Sequence, residues 1–392
     1  MSDALVTVFS GGGTGGHLYP ALALARSLTD RRPDVRPFFV GAERGLEARV
    51  LPERGLRHLL LPVEGFQRGR MLANLRVVTV LFRALGRVAE LFRRLRPSLV
   101  VVTGGYAGGP AGLVAVLTRT RLVLQEQNSV PGVTTRMLAF FADEVHVAFP
   151  EAIAALPRRA RPRARVSGNP VEPPEVRPRE EAAASFGVNP DGTVVLVVGG
   201  SQGAFALNQA LLGALAAVER GELGRPVGLQ LLWATGPTHL AGVRRAVEEL
   251  GGPEWVHSIG YIDRMNLALS LADLAVSRAG AMATSEFLAW GVPAVLVPLP
   301  SAAANHQARN AQALEDAGAA IHLPEGEATP RGLWERISRL ALDPVVRQAM
   351  ASAARSRGRP HAALEIAAAL DAQLPPPPFG KSGSRGSRER RG

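Results

Sequence analysis

Apolar and polar positions alternate along the chain in two series of strand-like and helix-like segments. In the first half, short runs rich in branched and aromatic residues predict strands at VTVF, RPFFVG, RHLLLPV, SLVVVTGG, RLVLQEQ and EVHVAF. Segments such as YPALALARSL and AGLVAVLTR lie between them and have the apolar spacing of helices. This order is typical of βαβ units in a parallel, doubly wound sheet.

The second half repeats this order after a segment rich in proline and charge. That segment, LPRRARPRARVSGNPVEPPEVRPREEAA, indicates a domain boundary. The new series opens with TVVLVVGGSQGAFALNQALLGALAAVE and continues through LQLLWATG, VHSIGYI, LADLAVSRAG and VPAVLVPLP. We therefore predict an α/β protein with domains at 1–165 and 166–345. We expect helices at 346–374 that pack back across the domains, and a disordered basic tail at 375–392.

Composition limits the class of protein further. The chain has 392 residues, of which 46% are hydrophobic, enough for two domains with separate cores. It has no cysteine, which excludes disulfides and thiolate metal sites, and no run apolar enough to span a bilayer. No basic leader precedes the first strand, so we expect no signal peptide. Lys381 is the only lysine, so the net charge of +11 comes from arginine and is weak support for nucleic-acid binding.

A glycine-rich turn follows the first strand of each series. The turn GGGTGG at 11–16 satisfies G-x-G-x-x-G, the pattern of dinucleotide-binding proteins, and Glu43 could then hold a ribose. A tight turn without ligand explains the same glycines, and a solvated surface acid explains Glu43. The turn GGSQGA at 199–204 offers Ser201 and backbone amides to a phosphate. Two such turns favour a ligand bound between the domains.

His17 follows the first glycine turn near the predicted start of a helix. Pro20 suits the first helical turn, where its missing N–H costs nothing. The positive end of the helix dipole favours a neutral imidazole, which can act as a general base beside a ligand cleft. A histidine that only shapes the turn by hydrogen bonding is the alternative.

Polar residues also follow the fourth and fifth predicted strands. Tyr106 stands among the glycines of GGYAGGP, where we expect it to be exposed to an acceptor. Glu126 and Asn128 stand at the end of the next strand, where open α/β sheets bind their ligands. Capping of the following helix is the alternative for both. Asn169 and Pro170 are expected to fix a turn at a hinge.

The densest group of polar and small residues is in SRAGAMATSEFLAWGVPAVLVPLPSAAANHQARNA. Residues 280–284 predict a turn before a helix whose first turn carries Glu286, a carboxylate able to accept two ribose hydroxyls. Favourable charge at a helix N-terminus is the alternative. Gln307 and Asn310 lie three residues apart on one helix face, where amides could read sugar hydroxyls. As isolated surface amides they would have no such role.

These segments, in this order, resemble the MurG family of bacterial N-acetylglucosaminyltransferases, which convert lipid I into lipid II. The resemblance extends from Leu5 to Ala320 and rests on GGGTGGHLYPALALA, GGYAGGP, QEQNSVPG, GNPV, GGSQGA, GYID and RAGAMATSE…GVPAVLVPLP…NHQARNA. It implies the GT-B fold, in which two Rossmann-like domains face a central cleft. It also implies UDP-N-acetylglucosamine as donor, bound mainly by the second domain.

The resemblance assigns expected roles to individual residues. Ser201 would contact the nucleotide, Ile262 would offer its backbone to uracil, and Glu286 would hold the ribose. The other expected donor-site residues are Thr14, Gly15, Gly16, Asn128, Ala281, Met282, Ala283, Thr284, Ser285 and Gln307. His17, Tyr106 and Glu126 match positions associated with the acceptor or catalysis.

The chain departs from the family pattern at two positions. Glu172 stands where the family usually has the arginine of GNPVR, so the charge at a donor-site position is reversed. Ala304 stands where many members have an acid.

The reaction implied by the resemblance makes two chemical demands. Displacement at the donor's anomeric carbon by the 4-hydroxyl of the muramyl sugar needs a base at the hydroxyl and stabilisation of the departing diphosphate. The chain has no D-x-D pair to hold a divalent ion, so we expect helix N-termini and glycine-turn amides to supply the positive potential without metal or other cofactor. His17 is the expected base, with Glu126 as the second candidate.

The implied acceptor, lipid I, is a membrane lipid, so a docking surface is expected. Residues 66–97 combine apolar positions at helical spacing with eight arginines and one acid, typical of a helix on an anionic leaflet. An ordinary domain helix with a buried apolar face is the alternative, and we expect a mixture of the two. We expect no nucleic-acid partner, because aromatic residues do not interleave with this charge. The expected location is the cytoplasmic face of the inner membrane.

Two other functions fit parts of the sequence. A nicotinamide-dependent dehydrogenase would bind its cofactor at the first glycine turn and be indifferent to Ser201 and Glu286. A non-catalytic nucleotide-sugar-binding protein would bind the donor but tolerate the loss of His17.

Overall fold

In the computed structural model, the chain forms two parallel β-sheets, each flanked by helices on both faces. The structure describes residues 5–63, 71–200, 203–302 and 305–377, with residues 71–78 described by their backbone alone. The predicted class, two doubly wound α/β domains, is confirmed.

The first domain contains a seven-stranded sheet. Its strands are β1 (Leu5–Gly11), β2 (Val35–Ala42), β3 (His58–Leu61), β4 (Leu99–Gly104), β5 (Arg121–Glu126), β6 (Glu144–Val147) and β7 (Ala164–Val166). Its helices are α1 (Gly15–Arg31), α2 (Glu47–Glu53), α3 (Met71–Leu95), α4 (Gly108–Thr118), α5 (Val133–Leu138) and α6 (Glu151–Ala155), with a 3-10 turn at Arg161–Arg163. The strand order is β3-β2-β1-β4-β5-β6-β7.

The second domain contains a six-stranded sheet. Its strands are β8 (Thr193–Val198), β9 (Leu229–Ala234), β10 (Val256–Ile259), β11 (Leu274–Ser277), β12 (Ala294–Leu296) and β13 (Ala320–His322). Helices α7 (Arg179–Phe186), α8 (Phe205–Glu219), α9 (Leu240–Glu249), α10 (Met265–Leu271), α11 (Ala281–Trp290), α12 (His306–Asp316) and α13 (Pro330–Leu342) accompany them, with a 3-10 turn at Glu325–Glu327. The strand order is β10-β9-β8-β11-β12-β13.

In both sheets the order reverses beside the first strand of the series. The chain moves outward from β1 to β3 and then returns to β4 on the other side of β1, and it does the same around β8. In an open parallel sheet, this reversal creates a crevice at the carboxyl ends of the two central strands. The glycine turns that follow β1 and β8 therefore both lie at such a crevice.

The strands read as continuous apolar runs because helices cover both faces of each sheet. All six residues of β4 are buried. Separate apolar clusters fill the two faces of each sheet, one of them built from β1, β4, α1 and the C-terminal part of the chain.

The domain boundary differs slightly from the predicted one. Strand β7 pairs with β6 at residues 164–166 and so extends across the predicted boundary between residues 165 and 166. Because this segment is rich in proline and arginine, its sequence did not predict a strand. Arg163 holds the segment to the first domain by donating to the carbonyl of Ala142.

The C-terminal helices α14 (Pro344–Arg357) and α15 (Ala362–Gln373) belong to different domains by their contacts. Helix α14 packs on α11 of the second domain, whereas α15 packs on α1 of the first. Asp371 of α15 pairs with Arg31 at 2.8 Å and with Arg32 at 2.7 Å. Burial alone would raise the pKa of the Asp371 carboxyl, but the hydrogen bonds from Arg32 and Arg31 outweigh it and hold that pKa below its usual range.

Candidate active site

A buried asparagine of the second domain joins the two domains at the carboxyl ends of their strands. Asn310 of α12 is fully buried, and its Oδ1 accepts from the backbone N–H and the hydroxyl of Ser129, both at 2.9 Å. Its Nδ2 donates to Asn128 Oδ1 and to the carbonyl of Ala279, both at 3.2 Å. The idea that this amide reads sugar hydroxyls is therefore wrong, because its polar atoms are used between the domains.

A second asparagine forms a similar link from the segment between the domains. Asn169 Nδ2 donates to Ser285 Oγ at 2.9 Å and to the carbonyl of Ala281 at 3.3 Å, both on α11. It also donates to the carbonyl of Gln127 at 3.0 Å in the first domain. Ser285 and Ala281, expected in the donor site, are both buried and take part in this contact.

His17 is the third residue of α1 and faces the loop after β4. Its Nδ1 lies 3.0 Å from the carbonyl oxygen of Thr103 and 2.8 Å from Oε1 of Gln127. Both partners are acceptors, so the proton belongs on Nδ1, and Nε2 keeps its lone pair. The ring is only partly buried. This tautomer, with an unprotonated Nε2, is the one that a general base requires.

The helix that carries His17 begins earlier than the sequence indicated. Gly15 is its first residue, and Pro20 lies in the second turn. Thr14 is the N-cap, with extended backbone and an exposed side chain that makes no capping hydrogen bond. The first-turn amides of Gly15 and Gly16 have no acceptor within the helix and are available to a ligand.

A buried carboxylate that sequence reasoning missed holds the first glycine turn. Glu47 Oε1 accepts from the backbone N–H of Gly13 at 2.8 Å and of Ala42 at 3.0 Å, and the side chain is fully buried. A Cβ built on Gly12 would lie 1.8 Å from the same oxygen, so glycine is required there. Glu43, the acid considered from the sequence, is instead an exposed partner of Arg87 at 3.2 Å.

Tyr106 is less exposed than its glycine-rich surroundings suggested. Its ring is partly buried and packs against Gly13, where an added Cβ would lie 2.6 Å from Tyr106 Cε1. Gly13 also has a φ of 95°, which other residues rarely adopt. The expectation of a freely exposed tyrosine is therefore wrong, since the absent side chain of Gly13 makes room for the ring.

Glu126 is occupied by its own loop. Only 2% of it is exposed, and its Oε1 accepts from the backbone and side chain of Asn128 at 3.1 and 3.2 Å. Its Oε2 accepts from the backbone N–H of Gly132 at 3.0 Å. Both oxygens thus stabilise the loop between β5 and α5, whereas His17 keeps a free acceptor. This geometry favours His17 as the base.

In the second domain, where the resemblance implies the donor site, α11 begins directly after Gly280. Ala281, Met282 and Ala283 lie in its first turn, so Glu286 lies in the second turn and the predicted first-turn position is wrong. Thr284 is buried, and its hydroxyl bonds to the carbonyls of Gly280 and Ala281. Alanine and methionine are good helix formers, which is why the helix starts earlier.

Glu286 has an unusual environment. Burial raises the pKa of its carboxyl to about 7, and the negative charge of Glu172 adds to the rise. Glu172 itself is exposed. The two acids therefore lie close enough to interact, at the position where the resemblance expects an arginine beside the donor.

The remaining expected donor residues lie in different environments. Ile262 is buried next to the exposed Tyr261, just after β10. Gln307 lies near the start of α12, and its Oε1 accepts from the backbone N–H of Leu299 at 3.0 Å. Ser201 and Ala304 lie outside the described residues. Within the described ranges, no three His, Asp or Glu side chains are grouped to hold a metal ion.

The chain matches both domain families of one glycosyltransferase group. Residues 7–147 match the glycosyltransferase family 28 N-terminal domain, and residues 194–366 match the family 28 C-terminal domain. A relative from Moorella thermoacetica, named UDP-N-acetylglucosamine–N-acetylmuramyl-(pentapeptide) pyrophosphoryl-undecaprenol N-acetylglucosamine transferase, is 40% identical over 91% of this chain and 95% of its own length. A relative of the same name from Desulfitobacterium hafniense is 38% identical over 92% of this chain and 96% of its own.

Solved structures share the two-domain arrangement. The crystal structure of Acinetobacter baumannii MurG matches with a TM-score of 0.74 at 28% identity, over 94% of this chain and 99% of that one. A UDP-GlcNAc 2-epimerase from Neisseria meningitidis bound to UDP-GlcNAc matches with a TM-score of 0.63 at 13% identity, over 93% and 99%, which shows a shared fold. The predicted GT-B architecture is confirmed, and the chain belongs to glycosyltransferase family 28 and, within it, to the MurG family.

Proposed function

We propose that this protein transfers N-acetylglucosamine from UDP-N-acetylglucosamine to the 4-hydroxyl of the muramyl sugar of lipid I, giving lipid II for peptidoglycan synthesis. The observation that carries the proposal is the arrangement of His17 in one domain and α11 in the other. The His17 ring has a free Nε2 acceptor, and α11 presents Glu286 and its first-turn amides at the carboxyl ends of the second sheet. The names of the relatives support the donor and acceptor.

In the proposed reaction, His17 Nε2 takes the proton of the acceptor hydroxyl as its oxygen attacks the anomeric carbon of the donor. The new C–O bond forms while the bond to the diphosphate oxygen breaks, so the configuration inverts and UDP leaves with the electron pair. The transition state needs most stabilisation at the diphosphate, where negative charge develops. The carboxylate of Glu286, on α11, accepts from the ribose hydroxyls and so holds the nucleotide against this helix.

We propose that the diphosphate charge is met by backbone amides rather than by a divalent ion. The first turns of α1 and α11 both lack side-chain caps, so their N–H groups are available to a ligand. Helix N-termini carry partial positive charge and commonly bind phosphate. Thr14, Gly15 and Gly16 would line the sugar and diphosphate from the first domain.

The proposal predicts UDP release that depends on acceptor and persists in EDTA. Purified protein is mixed with UDP-N-acetylglucosamine and a short-chain lipid I analogue, and UDP is measured by anion-exchange chromatography of the quenched reaction, run with and without the chelator. A dehydrogenase would release none and would bind a nicotinamide cofactor. A non-catalytic sugar-nucleotide-binding protein would bind the donor without turnover. Folded protein without acceptor-dependent release would end the proposal, and loss of release in EDTA would end its metal-free form.

A membrane-facing surface is the second part of the proposal. Helices α3, α4 and α5 pack side by side on one face of the first sheet. Exposed apolar residues lie along them and just after α5, and these are Phe82, Leu113, Leu117, Val133, Met137, Phe140 and Phe141. Arg83 of α3, Arg136 of α5 and Arg119 directly after α4 are exposed on the same side. We propose that this apolar and basic surface rests on the anionic cytoplasmic leaflet.

The predicted amphipathic segment divides between core and surface. Ala84, Val88 and Phe92 of α3 are buried in the first domain, whereas Phe82 is exposed. Residues 64–70 and the side chains of 71–78 lie outside the described part of the chain. No helix in the described residues is long and apolar enough to cross a bilayer.

The double variant Phe140→Ser/Phe141→Ser is expected to bind anionic vesicles several-fold more weakly, because two large apolar side chains no longer enter the interface. Co-sedimentation with vesicles of anionic and zwitterionic lipid measures this. Val345→Ser is the matched control, since Val345 is an exposed apolar residue on α14. Turnover of a short-chain soluble acceptor should be unchanged in both. Equal vesicle binding by the double variant and the control would contradict the membrane surface.

A further inference from the structure

Three buried side-chain amides connect His17 to the donor-binding helix. They are Gln127, Gln125 and Asn169, which we call the amide chain, and each is at most 1% exposed. Gln127 Oε1 faces His17 Nδ1 at 2.8 Å. Gln125 Nε2 donates to Asn169 Oδ1 at 2.9 Å, and Asn169 Nδ2 donates to Ser285 Oγ at 2.9 Å on α11. The amide chain therefore runs from the first domain to the second without a break.

The orientation of Gln127 is fixed by its own neighbours. Its Nε2 donates to the carbonyls of Thr103 at 2.7 Å and Gln125 at 3.0 Å, and also to Gln125 Oε1. All three of these partners are acceptors. A flipped amide would set its oxygen against them and leave buried donors and acceptors unpaired, which is costly. The amide oxygen of Gln127 is therefore held toward His17.

The orientation of Gln127 has a consequence for the imidazole. A carbonyl oxygen and an amide oxygen both face Nδ1, and an unprotonated Nδ1 would place lone pairs against both. The ring also lies against Gly104 and Gly105, whose missing side chains allow this approach. The titratable groups on the elements around it are Glu47 beneath the first glycine turn, Tyr106 against Gly13, and Glu126 next to Gln127 in sequence.

We propose that Gln127 is a positioning residue that keeps the His17 proton on Nδ1, so that Nε2 is always the atom presented to the acceptor hydroxyl. Gln125 and Asn169 hold Gln127 and at the same time tie it to α11. This proposal rests on the transfer reaction proposed above. The tautomer matters there because a general base must present an unprotonated nitrogen to the acceptor hydroxyl. None of the three amides touches a reacting atom in this arrangement.

The variant Gln127→Met tests the proposal, since methionine keeps the length of the side chain and removes the amide. Turnover is expected to fall about tenfold or more, because the imidazole is no longer held in its orientation. The donor KM should change less than about twofold, because the donor site is not altered. Selective ¹⁵N labelling of histidine reports the tautomer of His17 directly by NMR, with the signal assigned from a His17→Ala sample. In the wild type it should show a protonated Nδ1. In Gln127→Met that signal should be partly replaced by the Nε2-protonated form.

Gln230→Met is the matched control. Gln230 is a buried glutamine of β9 whose amide bonds to the backbone of Asn189 at 2.8 and 2.9 Å, so its loss costs hydrogen bonds in the same way but away from the cleft. Turnover and the His17 tautomer should stay at wild-type values in this variant. Thermal unfolding and donor binding show that each variant is folded.

The NMR measurement separates this proposal from the proposed function. A wild-type His17 protonated on Nε2, or a tautomer unchanged by Gln127→Met, would overturn the positioning role whatever the activity. Normal tautomer behaviour in a protein without transferase activity would instead overturn the function and, with it, the reason for the positioning. If turnover fell equally in Gln127→Met and Gln230→Met, the role of Gln127 would be merely structural, which would also overturn the proposal.

Discussion

Replacement of His17 with alanine is expected to lower turnover by about 10²- to 10⁴-fold, the usual contribution of a positioned base. The physical reason is the free Nε2, which the hydrogen bonds of Nδ1 to Thr103 and Gln127 leave as the only acceptor on the ring. Initial rates of UDP release at saturating donor and acceptor measure the effect. Donor affinity, measured by calorimetry, should change little.

His322→Ala is the control for this experiment, because His322 lies on the edge strand β13 of the second domain. The result also decides between the two candidate bases. If Glu126 were the base, His17→Ala would retain most of its turnover. The three donors from Asn128 and Gly132 around the Glu126 carboxylate instead predict that its replacement disturbs the loop, visible as lower thermal stability.

Affinity for UDP-N-acetylglucosamine is expected to rise about tenfold between pH 6 and pH 8. Burial, with help from Glu172, raises the pKa of Glu286 to about 7, so this carboxyl is mostly protonated at pH 6 and mostly ionised at pH 8. Only the ionised form can accept both ribose hydroxyls. Calorimetry with the sugar nucleotide measures the trend, and UDP itself is unsuitable because its terminal phosphate titrates in this range.

The substitution Glu172→Arg should move this pH dependence to lower pH and tighten binding most strongly at pH 6. A cation in place of Glu172 favours the ionised form of Glu286 and lowers its pKa. Glu172→Gln should give an intermediate result, because the larger cause, burial, remains. Glu286→Gln is the control and should bind weakly at every pH. A wild-type affinity that does not change from pH 6 to pH 8 would contradict ribose binding by an ionised Glu286.

The fold class could be predicted from the sequence because each strand of a parallel sheet is a continuous apolar run that is recognisable in a short segment. The runs VTVF and TVVLVV, each followed by glycines, located the central strands of both sheets. Strands β7 and β13 are only three residues long, and β7 lies in an arginine- and proline-rich segment. Such edge strands are stabilised by their neighbours rather than by their own composition, and no local pattern indicated them.

The candidate site was only partly accessible from the sequence, because its geometry depends on contacts between distant segments. His17 was selected from its place after the glycines, but the two acceptors that face its Nδ1, on Thr103 and Gln127, are 86 and 110 positions away. Glu47 and Asn310 are buried partners whose role depends on tertiary structure. The only sequence signal for Glu47 was its location in a second glycine-containing segment, GAERGLE.

Errors in the position of helix starts had a common cause. Helix α1 begins at Gly15 and α11 at Ala281, so both helices include small residues that the sequence suggested were turns. Alanine favours a helix, as in α11, whereas glycine disfavours one, so the start of α1 at two glycines depends on contacts with other parts of the fold. Both first turns are also bonded to other parts of the fold, since Asn169 donates to the carbonyl of Ala281 and the Thr103 hydroxyl donates to the carbonyl of His17.

The location of α15 has a consequence for how the protein is made. Ile366, Leu370 and Leu374 fill the apolar cluster beside β1 and α1, although the whole second domain lies between them in the sequence. During synthesis, the first domain therefore keeps an uncovered apolar face until the whole second domain has been made and α15 has left the ribosome. A released chain truncated before residue 362 would expose that face to chaperones, and a chain that extends past residue 374 would not.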